Sequence, residues 1–254
     1  MRFYGLLNKE REIYSETHDG KTITITEKGR LRILKCNGII FSKISSGMLF
    51  VNEYWDFFIP LAYFYEKPEI LMIGIGGGTI PFQLGSILND RMDMVAVEPD
   101  QHMVAAYTKF LDKMPHLKIE NAEGSEYISE KKSSYDIIIL DAYDQTGKIP
   151  LQFHNKEFVS NAYESLKEKG VLAINCIGSM LGPELDLFIQ NYSEKFEVYR
   201  LDTSYHTANI ILICLKNISK ETLIHTLEGK MQNEKDKEFL FKAYLSSKRV
   251  FITT

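Results

Sequence analysis

Acidic side chains recur in this chain immediately after short apolar runs, and behind a glycine-rich turn. The run beginning at Ile70 leads into Gly74-Ile75-Gly76-Gly77-Gly78-Thr79. Missing side chains there let the backbone approach a ligand and turn sharply into a helix, with Pro81 suited to its first turn. Glu98 follows the next run, about 20 residues on, where a carboxylate can accept both hydroxyls of a ribose. Glu123-Gly124 and Asp141-Ala142-Tyr143-Asp144 end the two runs after that. A lone glycine turn is often only close strand–helix packing. Acids converging behind it are another matter, because like charges are costly to gather in a fold that does not use them.

The spacing discriminates between nucleotides. The dinucleotide fingerprint G-x-G-x-x-G would need glycine where Thr79 stands, and a pyrophosphate gains nothing from acids at Glu123 and Asp141. An uncharged or cationic ligand fits better. G-x-G-x-G at Gly74, Gly76 and Gly78, followed by Glu98, is the arrangement of sulfonium-nucleoside enzymes of the S-adenosylmethionine type.

The elements that must position these residues change character near residue 66. Before it, Thr22 to Thr26 and Leu31 to Leu34 read as a hairpin with a turn at Lys28-Gly29, and Ile39 to Ile44 as a third short strand. VNEYWDFFIPLAYFYE is dense enough in aromatic and apolar residues for a buried helix interrupted or begun at Pro60. After Lys67-Pro68, strands at Ile70 to Ile75, Met94 to Val97, Leu117 to Ile119, Ile137 to Leu140, Val171 to Asn175 and Ile210 to Leu215 alternate with helical segments such as Gln101 to Leu111 and Lys156 to Lys169. Phe196 to Leu201 is expected to pair antiparallel with Ile210 to Leu215 through a turn around Ser204 to Thr207. The expectation is an α/β fold with a seven-stranded, mostly parallel sheet of the methyltransferase type, covered on both faces. Residues 1–66 form a small β-hairpin domain with an entrance helix, 67–216 the nucleoside-binding catalytic domain, and 217–254 a tail of one or two surface helices without a chemical signal.

Composition excludes several classes. With 254 residues, 44% hydrophobic and 25% charged, the chain has ample material for a core, and its longest apolar stretches fall far short of a bilayer span. A net charge of −4 with no basic stripe speaks against nucleic acid as a partner. The first residues show no cleavable apolar leader, and Cys36, Cys176 and Cys214 lack metal or redox spacing, so a reducing cytoplasm is expected. The six histidines form no ligand set, no metal is implied, and no G-x-S-x-G elbow occurs.

Roughly residues 20 to 216 resemble the spermidine synthase (aminopropyltransferase) family, as a divergent member. The pieces that carry the resemblance are GRLRILKCNG, EYWDFFIPLAYF, ILMIGIGGGTIP, VAVEPD, AEGSEYI, YDIIILDAYD and IPLQFHNKEFVSNAYESLKEKGVLAIN. The resemblance implies decarboxylated S-adenosylmethionine as co-substrate, a small-molecule amine as acceptor, and a homo-oligomer. It places the glycine loop against the donor's tail, Glu98 on its ribose and Glu123 on its adenine. Asp141 corresponds to the base that activates the amine and Asp144 to its partner in a D-x-x-D motif. An ammonium approaching a sulfonium to about 4 Å is repelled by ~4 kcal/mol at an effective dielectric of 20, an obstacle that a carboxylate at the amine removes. A turn or helix cap is the structural alternative for Asp144.

The departures bear on the substrate. Gly77 stands where the family has an aspartate for the donor's amine, Phe41 and Trp55 replace polar residues, and TSYHTAN replaces a proline-tyrosine stretch. Tyr54, Trp55, Asp56 and Tyr143 offer a rebuilt amine pocket, although aromatics on such a helix also serve as core. The absence of the loop aspartate favours the alternative donor, intact S-adenosylmethionine, and hence a methyltransferase. A non-catalytic nucleoside-binding protein is the third reading.

Overall fold

Continuous apolar runs build the central sheet because both of its faces are covered. A computed structural model of the protein describes residues 9–144, 147–177, 184–203, 209–231 and 237–250. The parallel strands are β5 (Glu69–Ile73), β6 (Asp93–Val97), β7 (Leu117–Glu120), β8 (Tyr135–Leu140) and β9 (Leu166–Ile177); β10 (Glu197–Asp202) and β11 (Asn209–Leu215) run antiparallel beside β9. With a short edge strand, β12 (Lys248–Arg249), beside β10, the order is β12-β10-β11-β9-β8-β5-β6-β7. From β5 the chain therefore winds outward first through β6 and β7, then to the other side through β8 and β9. That reversal opens a crevice at the carboxyl end of β5, where open sheets bind ligands. Register closes the geometry: Ile73 pairs with Val97 and with Leu140, which sets Gly74, Glu98 and Asp141 side by side.

All the expected strands form, and the sheet has one more. The added β12 (Lys248–Arg249) is an exposed two-residue edge strand, too short to show any periodicity in the sequence. The helices are α1 (Thr79–Leu88), α2 (Gln101–Phe110), α3 (Gly124–Ser129), α4 (Lys156–Ser165), α5 (Glu184–Ser193), α6 (Lys220–Met231) and α7 (Glu238–Ser246). The helix expected over Lys156 to Lys169 stops at Ser165. From there β9 begins, with Lys169 at φ +65 and an irregular register opposite Tyr135 and Ile137, the signature of a bulge that helical spacing cannot reveal. The expected turn at Ser204 to Thr207 lies outside the described residues.

A four-stranded antiparallel meander precedes this sheet: β1 (Arg11–His18), β2 (Lys21–Lys28), β3 (Leu31–Cys36) and β4 (Ile39–Ser45). Strand β1 was not legible because REIYSETH is polar and largely exposed. The entrance helix, Tyr54–Tyr63, is a 3₁₀ helix that contains Pro60 rather than starting at it, and Trp55 through Ala62 are buried. The tail differs from expectation in its packing. Leu223, Leu227, Met231, Leu240, Phe241 and Tyr244 are buried, and the Tyr244 hydroxyl donates to the Phe57 carbonyl at 2.8 Å, so α6 and α7 cover the entrance helix instead of riding on the surface.

Candidate active site

Two of the loop glycines, Gly74 and Gly76, are required by the close approach of neighbouring backbone, and two, Gly77 and Gly78, by side-chain packing. A Cβ on Gly74 would fall 2.4 Å from the Asp141 carbonyl oxygen, which lets β8 end directly beside the turn. On Gly76 it would meet the Phe41 carbonyl at 2.8 Å, and on Gly77 the Ser42 Cβ at 2.7 Å. The meander thus presses β4 onto the glycine turn. Ser42 Oγ accepts the Gly77 N–H at 2.7 Å, and Thr79 Oγ1 accepts from the Lys43 N–H at 3.0 Å, stapling the two sheets together. Gly78, expected among the ligand-holding glycines, lies off the cavity. Its φ of +90 and the Tyr107 ring 2.7 Å from its would-be Cβ make it the left-handed hinge between turn and helix, packed on α2.

The cavity these elements enclose is about 540 Å³, within the range for a nucleoside-sized ligand. Gly74, Gly76, Glu98, Glu123, Gly124, Asp141, Tyr143, Asp144 and Tyr54 all line it. Glu98 Oε2 accepts the Ile75 N–H at 3.2 Å and Oε1 the Asp100 N–H at 3.1 Å, so the carboxylate is fixed between the glycine turn and α2. Burial raises its pKa, against these two amides, which lower it. A carboxylate so held keeps lone pairs for a vicinal diol. Glu123 precedes α3 and accepts from Gln152 Nε2 at 3.2 Å. Gly124 is a packing glycine, its would-be Cβ 2.4 Å from Ile73 Cγ2.

Asp141 sits half-buried at the end of β8 in a ring of donors. The Tyr54 hydroxyl donates to both carboxylate oxygens at 3.2 Å, and Asn175 Nδ2 donates to Oδ1 at 2.8 Å. Burial pushes its pKa up to about 6, opposed by Asn175, Tyr54 and the Trp55 indole. Tyr54 itself is raised well above the usual phenol value, by burial first and by Asp141 second, and so remains a donor. The Tyr143 hydroxyl donates to the Asn175 carbonyl at 2.8 Å rather than to Asp141.

Sequence reasoning missed two residues here. Asn175 is 1% exposed, and its Oδ1 accepts from Asn209 Nδ2 at 2.9 Å, forming a chain of amides that ends on Asp141. Asn175 closes the apolar run Val171 to Asn175, and the rule that singles out the residues ending β5, β6 and β8 applies equally to it. Asn209 opens an antiparallel strand and carries no such signal.

Two residues behave differently from expectation. Asp144 is exposed; its N–H donates to the Lys148 carbonyl at 2.8 Å and its Oδ1 accepts the Lys148 N–H at 3.1 Å, so it builds the turn after β8 as well as lining the cavity. Asp56 does not reach the cavity. Fully buried, it accepts from the Val51 and Asn52 N–H groups at 3.0 and 2.9 Å and from Gln83 Nε2 at 2.6 Å, which fixes the start of the entrance helix.

The chain is similar to known proteins in sequence and in fold. The chain is 29% identical over 171 residues to a polyamine aminopropyltransferase of Clostridium botulinum, a match that covers 64% of this chain and 58% of the relative. It thus spans less than two thirds of the curated relative's length. The crystal structure of spermidine synthase from Thermotoga maritima superposes with a TM-score of 0.70 over 93% of this chain and 84% of that one, at 22% identity. A human methyltransferase-like protein 13 in complex with SAH shares the fold more loosely, with a TM-score of 0.59 at 21% identity over 78% of this chain and 94% of that one. The model of the spermine/spermidine synthase domain matches residues 58–235, a stretch that runs from within the entrance helix through every strand carrying a cavity acid to the first covering helix, α6, and the chain belongs to that family.

Proposed function

We propose that this chain is an aminopropyltransferase that moves a propylamine group from decarboxylated S-adenosylmethionine to a small amine. The observation that carries the reading is Asp141: a carboxylate with a pKa of about 6, clasped by Tyr54 and Asn175, opening on the same cavity as the amide-held Glu98. Supporting it is the family to which the chain belongs, whose curated relatives are polyamine aminopropyltransferases.

In this mechanism Glu98 accepts the ribose hydroxyls, Glu123 lies near the base, and the turn at Gly74 and Gly76 runs along the donor's tail. The acceptor nitrogen attacks the propyl carbon bonded to sulfur. That C–S bond breaks with its electron pair going to sulfur, and methylthioadenosine leaves. Positive charge disappears from sulfur and grows on nitrogen, next to Asp141, so the carboxylate stabilises the transition state more than the ground state. With a pKa of about 6 Asp141 is ionised at neutral pH and accepts the proton released as the new amine forms. Asp144, engaged in its turn, contributes charge at the mouth rather than proton transfer. Tyr54 and Tyr143 wall the acceptor side.

A methyltransferase using intact S-adenosylmethionine is the second reading, favoured by one observation: at Gly77 there is no room for an acid that would repel a donor carboxylate. Product analysis decides between them. Release of methylthioadenosine from the decarboxylated donor supports the first reading; release of S-adenosylhomocysteine from the intact donor supports the second.

The setting belongs to the same proposal. Cys36, Cys176 and Cys214 are buried free thiols, in keeping with a reducing cytoplasm. Among the described residues no helix is long and apolar enough to cross a membrane. The homo-oligomeric state is part of the proposal by family membership.

A further inference from the structure

The acids of the cavity differ in what else holds them. Glu98 is fixed by two backbone amides, and Asp141 by Tyr54 and Asn175. The Glu123 carboxylate has a single protein partner among the described residues: Gln152 Nε2 donates to its Oε1 at 3.2 Å. Glu123 stands at the start of α3, yet its side chain does not cap the helix, so the carboxylate is not spent on local structure. Gln152 is firmly placed as well. It lies in the 3₁₀ turn Leu151–Phe153, between Leu151, 79% exposed, and the buried Phe153. Helix α5 clamps the end of that turn, the Tyr192 hydroxyl donating to the Phe153 carbonyl at 2.8 Å and Asn191 Nδ2 to the His154 carbonyl at 2.7 Å. Glu123 and Gln152 both line the cavity.

Resting on the donor assignment above, we propose that Gln152 is a specificity-determining residue that, together with Glu123, selects a nucleoside whose base is a 6-aminopurine. A glutamine amide carries a carbonyl oxygen on one side and an NH₂ on the other. Turned over, it would set its oxygen against the carboxylate, so Glu123 fixes which way Gln152 faces. One N–H of Nε2 then stands beside the unused lone pairs of Glu123, and the pair offers a base one donor and one acceptor side by side. A 6-aminopurine matches both, its exocyclic amine donating to Glu123 and its N1 accepting from Gln152. A 6-oxopurine reverses both groups, bringing a carbonyl oxygen to the carboxylate and an N1–H to the amide. Selectivity here rests on a repulsive element as much as an attractive one.

The test is calorimetric titration of the full chain with methylthioadenosine and with methylthioinosine, which differ only at the base edge. The wild type should favour the adenine nucleoside by about a hundredfold or more, because the inosine analogue leaves both polar groups facing like partners. Gln152→Leu should lower that ratio by about tenfold, the worth of one hydrogen bond, whereas Leu151→Ala in the same turn should leave it unchanged. In a Glu123→Ala background Gln152→Leu should no longer alter the ratio, since an amide freed of the carboxylate can turn over and serve either base. A merely structural role for Gln152 would weaken both nucleosides equally and keep the ratio, and that result overturns the inference. Equal binding of the two nucleosides by the wild type overturns it as well, while leaving the transfer reading in place. Failure of the wild type to bind either nucleoside would strike the donor assignment itself, and this inference with it.

Discussion

Asn175 Nδ2 lies 2.8 Å from Asp141 Oδ1, and the asparagine that makes this bond is buried and held in turn by Asn209. The relationship sets two properties of the acid at once. It fixes the carboxylate plane on the cavity side of β8, and it favours the ionised form in a place where burial favours the neutral one. An amide can orient a carboxylate without competing for its proton, which a histidine or lysine at the same position would do.

The pH dependence of transfer follows from that balance. Asp141 must be ionised to accept a proton, so kcat/KM for the donor should rise with pH and level off above about 6. In Asn175→Ala one donor to the charged form is lost, and the rising limb should move up by about one pH unit, the equivalent of one hydrogen bond to a charged group. A pH–rate profile checks both. A wild-type profile flat from pH 5 to 8 contradicts the assignment.

Stability should move the opposite way to activity. The folded pKa of Asp141 lies above its ordinary value, so between about pH 4 and pH 6 the unfolded chain has released a proton that the folded chain keeps. Stability is fully present below that window and falls as pH rises through it. Asp141→Asn removes the titration. Thermal melts should show the variant gaining on the wild type from pH 4 to 6 and holding a constant advantage of about 1–3 kcal/mol above it. That range follows because a pKa displaced by one pH unit is worth about 1.4 kcal/mol, less what the charge-assisted bonds return. A variant less stable than the wild type at pH 8 would mean that the donors around Asp141 outweigh its burial.

Glu98 serves binding rather than chemistry, since ribose hydroxyls are present equally in ground and transition states. Both of its oxygens accept backbone N–H groups, from Ile75 and Asp100. Glu98→Gln can satisfy only one of them and turns an N–H toward the other. Affinity for methylthioadenosine should drop by about 1.5–3 kcal/mol, with kcat at saturating donor changed far less. Calorimetric titration and saturation kinetics separate the two effects.

Gly77 tests the fit between the two sheets. It lies outside the left-handed region, so an alanine there is conformationally allowed and its cost is steric alone: the new Cβ would stand 2.7 Å from Ser42 Cβ and 2.8 Å from Phe110 Cδ1. Gly77→Ala should destabilise the protein by about 1–3 kcal/mol, the usual cost of overpacking, as read by denaturant unfolding. A neutral effect would show that the meander yields and that β4 does not constrain the turn.

Much of this was legible in the sequence because β5, β6 and β8 are buried on both faces and therefore read as unbroken apolar runs whose following residue is the functional one. Glu98 and Asp141 were found that way. Other features depend on what lies across space. Gly78 looks like a ligand glycine until Tyr107 is seen beside it, and Asp56 looks like an amine-pocket acid until its three donors are counted. The amide chain of Asn175 and Asn209 joins two strands by antiparallel pairing that no local pattern records. The tail hid its role because its apolar residues are sparse and its partner, the entrance helix, lies more than a hundred residues away in sequence.

The central claim is that Asp141 acts in the chemical step of aminopropyl transfer and not in holding the donor. Asp141→Asn compared with wild type, each measured for methylthioadenosine affinity by calorimetry and for transfer from decarboxylated S-adenosylmethionine to the best amine, tests it most directly. The account predicts nearly unchanged affinity together with turnover lowered by about 10²–10⁴-fold, the contribution of a positioned acid or base. Loss of nucleoside binding in the variant, or turnover equal to that of the wild type, would contradict it.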